Sequence, residues 1–124
     1  MWQAILIPLF SLINIALAKW DATIFAKGKT VSHGFNGALY IALLVPVWFI
    51  THNWYLIAAL LFDRLLFFNI PLNLFRTDTK LEWYYRPIKP ASIVDKIGNL
   101  IPNATLMYLI YAVAFITLTI ISCL

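Results

Sequence analysis

The sequence predicts an all-α, polytopic integral membrane protein of four transmembrane helices with a short interfacial helix on the cytoplasmic side. Three observations carry this. Of 124 residues, 63% are apolar and 11% charged, against about 45–50% and about 25% in an average soluble chain. The apolar residues collect into four runs, at 2–18, 34–50, 54–74 and 104–124. Eight of the nine basic residues collect between those runs, and in alternate connections only. With a mean hydropathy of +0.87 and 16% aromatics, the chain is also excluded from disorder, which needs low hydrophobicity and high net charge.

The first run, residues 2–18, reaches about 26 Å at 1.5 Å per residue, the short end of what crosses a bilayer. Ala16-Leu17-Ala18 looks like a signal-peptidase site. No Lys or Arg precedes the stretch, however, as a signal peptide requires, so a retained helix is expected. The second run, 34–50, is equally short. It carries Gly34, Ala38 and Ala42 at four-residue spacing, a small-xxx-small stripe that permits close backbone approach in lipid. The third and fourth runs, 54–74 and 104–124, each reach about 32 Å. Pro8, Pro46 and Pro71 fall inside runs and are expected to kink helices, since membrane helices re-satisfy the freed carbonyls locally.

Between 75 and 103 lies the one long polar stretch. Pro87 and Pro90 make its middle extended, and Ser92 with Asp95 three residues on resembles a capping box opening a short helix. Ile93, Val94, Ile97, Leu100 and Ile101 would share a face of it, either laid in the acyl boundary with Lys96 toward headgroups or packed beneath the bundle.

Orientation follows from the cations. Lys19, Lys27 and Lys29 lie in the first connection, and Arg76, Lys80, Arg86, Lys89 and Lys96 in the third. Four crossings put eight of the nine basic residues on one side, which the positive-inside rule makes cytoplasmic. The expectation is a multi-pass protein of the inner (cytoplasmic) membrane with both termini outside. Trp2, Trp48 and Trp54 would then anchor the outer interface and Trp20, Trp83, Tyr84 and Tyr85 the inner one. The net charge of +4 is too sparse for a nucleic-acid stripe. Anionic lipid headgroups are the expected counter-charge for Lys27, Lys29, Arg76, Lys80, Arg86, Lys89 and Lys96.

Polar residues inside the runs are the candidates for function, because each is costly in hydrocarbon. Asp63 and Arg64 stand near the midpoint of the third run, where a lone charge costs about 2.5–3.5 kcal/mol on insertion scales. Adjacent helical residues diverge by about 100°, so at least one of the two needs a partner on another helix or chain. In a tight hairpin about Thr51-His52-Asn53, Tyr40 comes level with Arg64, and Asn36 with Phe68 and Asn69. His33, Asn36 and Tyr40 share a helix face, Asn14 falls near the depth of Asn36, and Asn69, Asn73 and Arg76 continue a polar stripe inward. These residues read either as interhelical glue or as a pocket opening to the cytoplasm. Asp63 and Arg64 read as a functional or assembly site, as a neutralising ion pair, or with Asp63 protonated.

Catalytic signatures are absent: there is no G-x-S-x-G, H-E-x-x-H or P-loop. The single Cys123 builds no disulfide or Cys-based metal site, and its second-from-end position does not fit a prenylation box. No cofactor is expected. The reading is a non-enzymatic membrane protein with a buried polar face. It would serve in assembly, as an oligomeric pore, or as an accessory subunit, with a homo-oligomer or larger membrane complex as its setting. The alternative is a metal-dependent hydrolase of a lipid phosphate, drawing on His33, Asp63 and Asp95 with Arg64 or Arg86 holding the phosphate.

Overall fold

The computed structural model describes residues 2–29, 33–87 and 93–124, with the side chains of His33 and Gly34 outside that description. Among the described residues every regular element is a helix: α1 (Trp2–Ala26), α2 (His33–Thr51), α3 (Trp54–Phe67), α4 (Asn69–Phe75), α5 (Ile93–Gly98) and α6 (Ala104–Ser122). Among the described residues three helical stretches are long and apolar enough to cross a membrane: Trp2–Ala26, Trp54–Phe75 and Ala104–Ser122. Phe35–Thr51 is apolar but shorter.

The first helix does not stop at residue 18. Hydropathy falls at Lys19, but a helix ends where its hydrogen bonds end, and nothing from Lys19 to Ala26 breaks them. The stop is Gly28, at φ +72°, where the Lys29 N–H donates to the Ile24 carbonyl (3.3 Å) and the Gly28 N–H to the Phe25 carbonyl (2.9 Å). This is a Schellman closure, which needs the left-handed backbone that glycine tolerates. The extra turns bury Asp21 and Ala22 in line with Phe10, Asn14 and Ala18, one stripe at helical spacing.

Pro8 and Pro46 lie within continuous helices. Pro71 instead accompanies a break at Phe68, between α3 and α4. Proline supplies no N–H to the carbonyl four residues earlier, here Phe67, and its ring crowds that carbonyl. The flanking bonds survive, from the Phe68 N–H to the Arg64 carbonyl (3.2 Å) and from the Leu72 N–H to the Phe68 carbonyl (2.9 Å). Two helix starts, those of α3 and α6, are capped by side chains. Asn53 accepts from the Leu56 N–H and Asn103 from the Leu106 N–H, both at 3.1 Å.

The third helix is the hub, packing on α6, α1 and α2, while α1 also packs on α4. One core joins Phe10, Tyr40, Leu44, Val47, Leu56 and Leu60; a second joins Leu66 with Met107, Tyr108 and Tyr111. On α2 the buried face is Tyr40, Leu44 and Val47, and the expected close-packing stripe is not used within the chain: Ala38 and Ala42 are exposed. Small residues permit approach but do not select a face, and the larger apolar side chains bury more area.

Both the N-terminal end of α1 and the α2–α3 turn meet the end of α6. Gln3 Nε2 and Asn53 Nδ2 donate to the same Ser122 carbonyl, at 2.6 and 2.8 Å. Trp48 and Trp54 meet at that end, their rings tilted and 5.2 Å apart. The opposite end is built by α4, α5 and residues 76–87.

Candidate functional site

Asp63 and Asn14 have no exposed surface. Asp63 is held from α1, where Ser11 Oγ donates to one carboxyl oxygen (2.6 Å) and Asn14 Nδ2 to the other (2.8 Å). Asn14 faces two more groups. Its Nδ2 donates to the Tyr40 hydroxyl (3.4 Å), and its Oδ1 accepts from Arg64 Nη1 at 3.5 Å, the long limit of a hydrogen bond. The Tyr40 hydroxyl in turn donates to the Leu60 carbonyl. Three helices thus converge on a single amide.

Arg64 is half-buried and uses aromatic faces where a carboxylate is absent. Its guanidinium lies 3.7 Å from the Phe68 ring centre and 5.4 Å from that of Tyr40. Such contacts are worth about 2 kcal/mol when desolvated. Among the described residues the ion pair within 4.0 Å is Arg76–Asp78, at 2.7 Å. Asp63 and Arg64 thus do not touch as an ion pair. Neighbours on a helix point about 100° apart, and Asn14 bridges them.

Of the sequence candidates, Asn14, Tyr40, Asp63 and Arg64 come together. Asn36 sits apart from them and donates to Asp21 Oδ2 at 3.2 Å. The His33 side chain lies outside the described residues. Asn73 is buried and donates to the Trp83 and Tyr85 carbonyls at 3.0 and 2.9 Å. Two polar partners went unnoticed in the sequence. Ser11 passes as a small residue in an apolar run, and Asp21 fell beyond the expected helix end although it is only 3% exposed.

At the end of the bundle opposite Ser122, a cavity of about 310 Å³ lies between α1, α4, α5, α6 and the segment after α4; Asn69, Asn73, Arg76, Arg86, Asn99 and Tyr111 are among its walls. That segment is tied down on all sides. Arg86 Nη1 donates to the Gly98 carbonyl and Nη2 to the Pro102 carbonyl, both at 3.0 Å. Asn99 Nδ2 donates to the Pro87 carbonyl (2.8 Å) and the Tyr108 hydroxyl to the Tyr85 carbonyl (3.0 Å). Gly98 packs closely here: a Cβ on it would sit 2.6 Å from the Tyr111 hydroxyl and 2.9 Å from Met107 Sδ, so those side chains would have to shift. A second groove of about 390 Å³, mostly apolar, runs between α2, α3 and α5 and shares Phe68, Asn69 and Asp95 with the first; Arg64 lines it.

Of the basic residues matched to headgroups, Arg76 and Arg86 thus line the cavity. Lys27, Lys29, Lys80 and Lys96 are exposed, and Lys89 lies outside the described residues. The Arg76 guanidinium is held by Asp78 through two hydrogen bonds, 3.0 and 2.7 Å, and lies 4.2 Å from the Phe25 ring centre. Hydrogen bonds from Arg76 hold the Asp78 carboxyl below the usual carboxylate range.

Among the described residues no three His, Cys, Asp or Glu side chains gather closely enough to hold a metal ion. Both oxygens of Asp63 are taken by Ser11 and Asn14. In comparisons with known proteins, no family model, no curated protein and no solved structure matches the chain.

Proposed function

We propose that the chain is a non-enzymatic, multi-pass subunit of a membrane assembly, in which the cluster around Asn14 clamps α1, α2 and α3 into a rigid unit. The observation that carries this reading is that Asp63 and Asn14 are wholly enclosed by groups of the same chain. Mid-span polar groups enclosed in this way fit interhelical fastening. A conducting path needs polar groups open to water.

In this reading α2 is a fourth crossing. Its 19 residues reach about 28 Å, close to the roughly 30 Å hydrocarbon thickness, and a small mismatch is absorbed by local thinning. The connections after α1 and α4 face the cytoplasm of an inner membrane. Ile93 (74% exposed) and Ile97 (62%) dip α5 into the inner acyl boundary beside anionic headgroups. The outward faces of α2 and α6 are left for lipid and partner chains.

The test has two parts. The chain reconstituted alone in liposomes is expected to pass no ions or small solutes, as wild type or as Asp63→Asn and Arg64→Gln. Extracted from its membrane in mild detergent, it is expected to run well above its 14.2 kDa monomer mass together with other chains. Wild-type flux lost in the two variants would replace this reading by a pore. A bare monomer in native extracts would remove it.

A further inference from the structure

We propose that the cavity at the α4–α5 end binds a phosphate-bearing head group, with Arg86 as its principal ligand and Arg76 as the second. This goes beyond the subunit reading and does not depend on it. A guanidinium has five N–H donors. In Arg86, Nη1 is spent on the Gly98 carbonyl and Met107 Sδ, and one Nη2 donor on the Pro102 carbonyl. The Nε–H and a second Nη2–H remain. No carboxylate oxygen among the described residues lies within 4.0 Å of this guanidinium. Its partners are neutral carbonyls and a thioether, which fix its position without cancelling its charge. A fixed, half-buried and uncompensated guanidinium on a cavity wall is an anion site, and the planar fork suits phosphate oxygens two at a time.

Arg76 adds to the same wall. Nε and Nη2 are held by Asp78, which leaves both Nη1 donors uncommitted. Arg76, Arg86 and Asp95 are the charged lining residues; Asp78 offsets the charge of Arg76, so Arg86 is the lining cation that no carboxylate touches. Asn69 and the Tyr111 hydroxyl supply neutral polar contacts, while Phe25, Phe68 and Leu72 make the remaining wall apolar. At about 310 Å³ the space is at the small end of ligand cavities, the size of a head group and not of a whole lipid. The adjoining apolar groove across Phe68 gives an attached acyl chain a place to lie. Two sources share this chemistry, a membrane phospholipid and a free phosphate monoester.

The experiment uses the full chain in maltoside micelles and follows intrinsic Trp/Tyr fluorescence, to which Trp83 and Tyr85 contribute. The probes are a short-chain phosphatidic acid, glycerol phosphate, inorganic phosphate and an uncharged diacylglycerol. Saturable binding of a phosphate probe is expected, with none of the diacylglycerol. Losing charge-assisted hydrogen bonds should weaken it about tenfold or more in Arg86→Gln and several-fold in Arg76→Gln. Arg76→Gln leaves the Gly98 and Pro102 ties intact, so it separates lost binding from a loosened segment. Preference for phosphatidic acid identifies a lipid head group. Equal binding of glycerol phosphate identifies a soluble ester. No saturable binding of any phosphate probe, or wild-type affinity in both variants, overturns the proposal.

Discussion

Asn14 joins three groups that no neighbouring residue could join: a carboxyl, a phenol and a guanidinium from two other helices. Replacing it with Leu strips Asp63 of one donor and leaves a buried oxygen unpaired. The expected cost is about 1–3 kcal/mol, the penalty of an orphaned buried acceptor, read as a shift in detergent-titrated unfolding. Ser11→Ala removes only one of the two donors to Asp63 and leaves Tyr40 and Arg64 undisturbed, so it should cost less; equal losses would deny Asn14 its central place. At the polar end the relevant pair is Arg76 and Asp78. The folded-state pKa of Asp78 is lowered by hydrogen bonds from Arg76, so the stabilisation is present above the ordinary carboxylate range. It is lost as pH falls through the lowered value. An NMR titration of the Asp78 carboxyl should show a midpoint below that of a free Asp in the wild type and a return to it in Arg76→Gln. An unchanged midpoint would mean that the pair does not form in solution.

Helices are bounded here by single residues, and the two asparagine caps allow a comparison. Asn103→Ala loses one cap, worth about 1 kcal/mol. Asn53→Ala loses a cap and also the bond from its Nδ2 to the Ser122 carbonyl, worth about 0.6 kcal/mol more in a membrane setting. Asn53→Asp restores the cap alone. Thermal unfolding in micelles should therefore rank Asn53→Ala below Asn103→Ala, with Asn53→Asp between Asn53→Ala and wild type. Asn53→Asp no better than Asn53→Ala would contradict the double role. What could be read from the sequence follows the same physics. Apolar run lengths located the helices, and equal rise about a short turn brought Tyr40 level with Arg64, because both are local and periodic quantities. The true end of α1 was hidden, because hydropathy reports solvent preference whereas Gly28 reports backbone geometry. Ser11 and Asp21 were missed for want of a partner that only tertiary contact reveals. The face taken by Ala38 and Ala42 depends on which neighbour offers the larger apolar area. That the carbonyls of Trp83, Tyr85 and Pro87 accept from distant side chains, while Arg86 donates to distant carbonyls, leaves no mark in residue spacing.

At the scale of the whole molecule, the open quantity is the number of crossings, and α2 decides it. The Gln3 and Asn53 side chains meet at one carbonyl of Ser122, so the start of α1, the start of α3 and the end of α6 lie together. Since α1 is about 37 Å long, its far end at Gly28 is at the other pole of the bundle. The chain can return from there to Asn53 only along α2. If α1 spans the bilayer, α2 must span it in reverse, and at 19 residues it is as long as α6. Single cysteines placed by Lys29→Cys, His52→Cys and Lys80→Cys in a Cys123→Ser background, at positions exposed in the fold, convert this into a labelling pattern. With a membrane-impermeant maleimide on intact cells, residue 52 should react. Residues 29 and 80 should react only after permeabilisation, as the cations of both connections require under the positive-inside rule. Residues 29 and 52 reacting from the same side would mean that α2 lies along the membrane surface. The bundle would then have to separate the ends that Ser122 now joins.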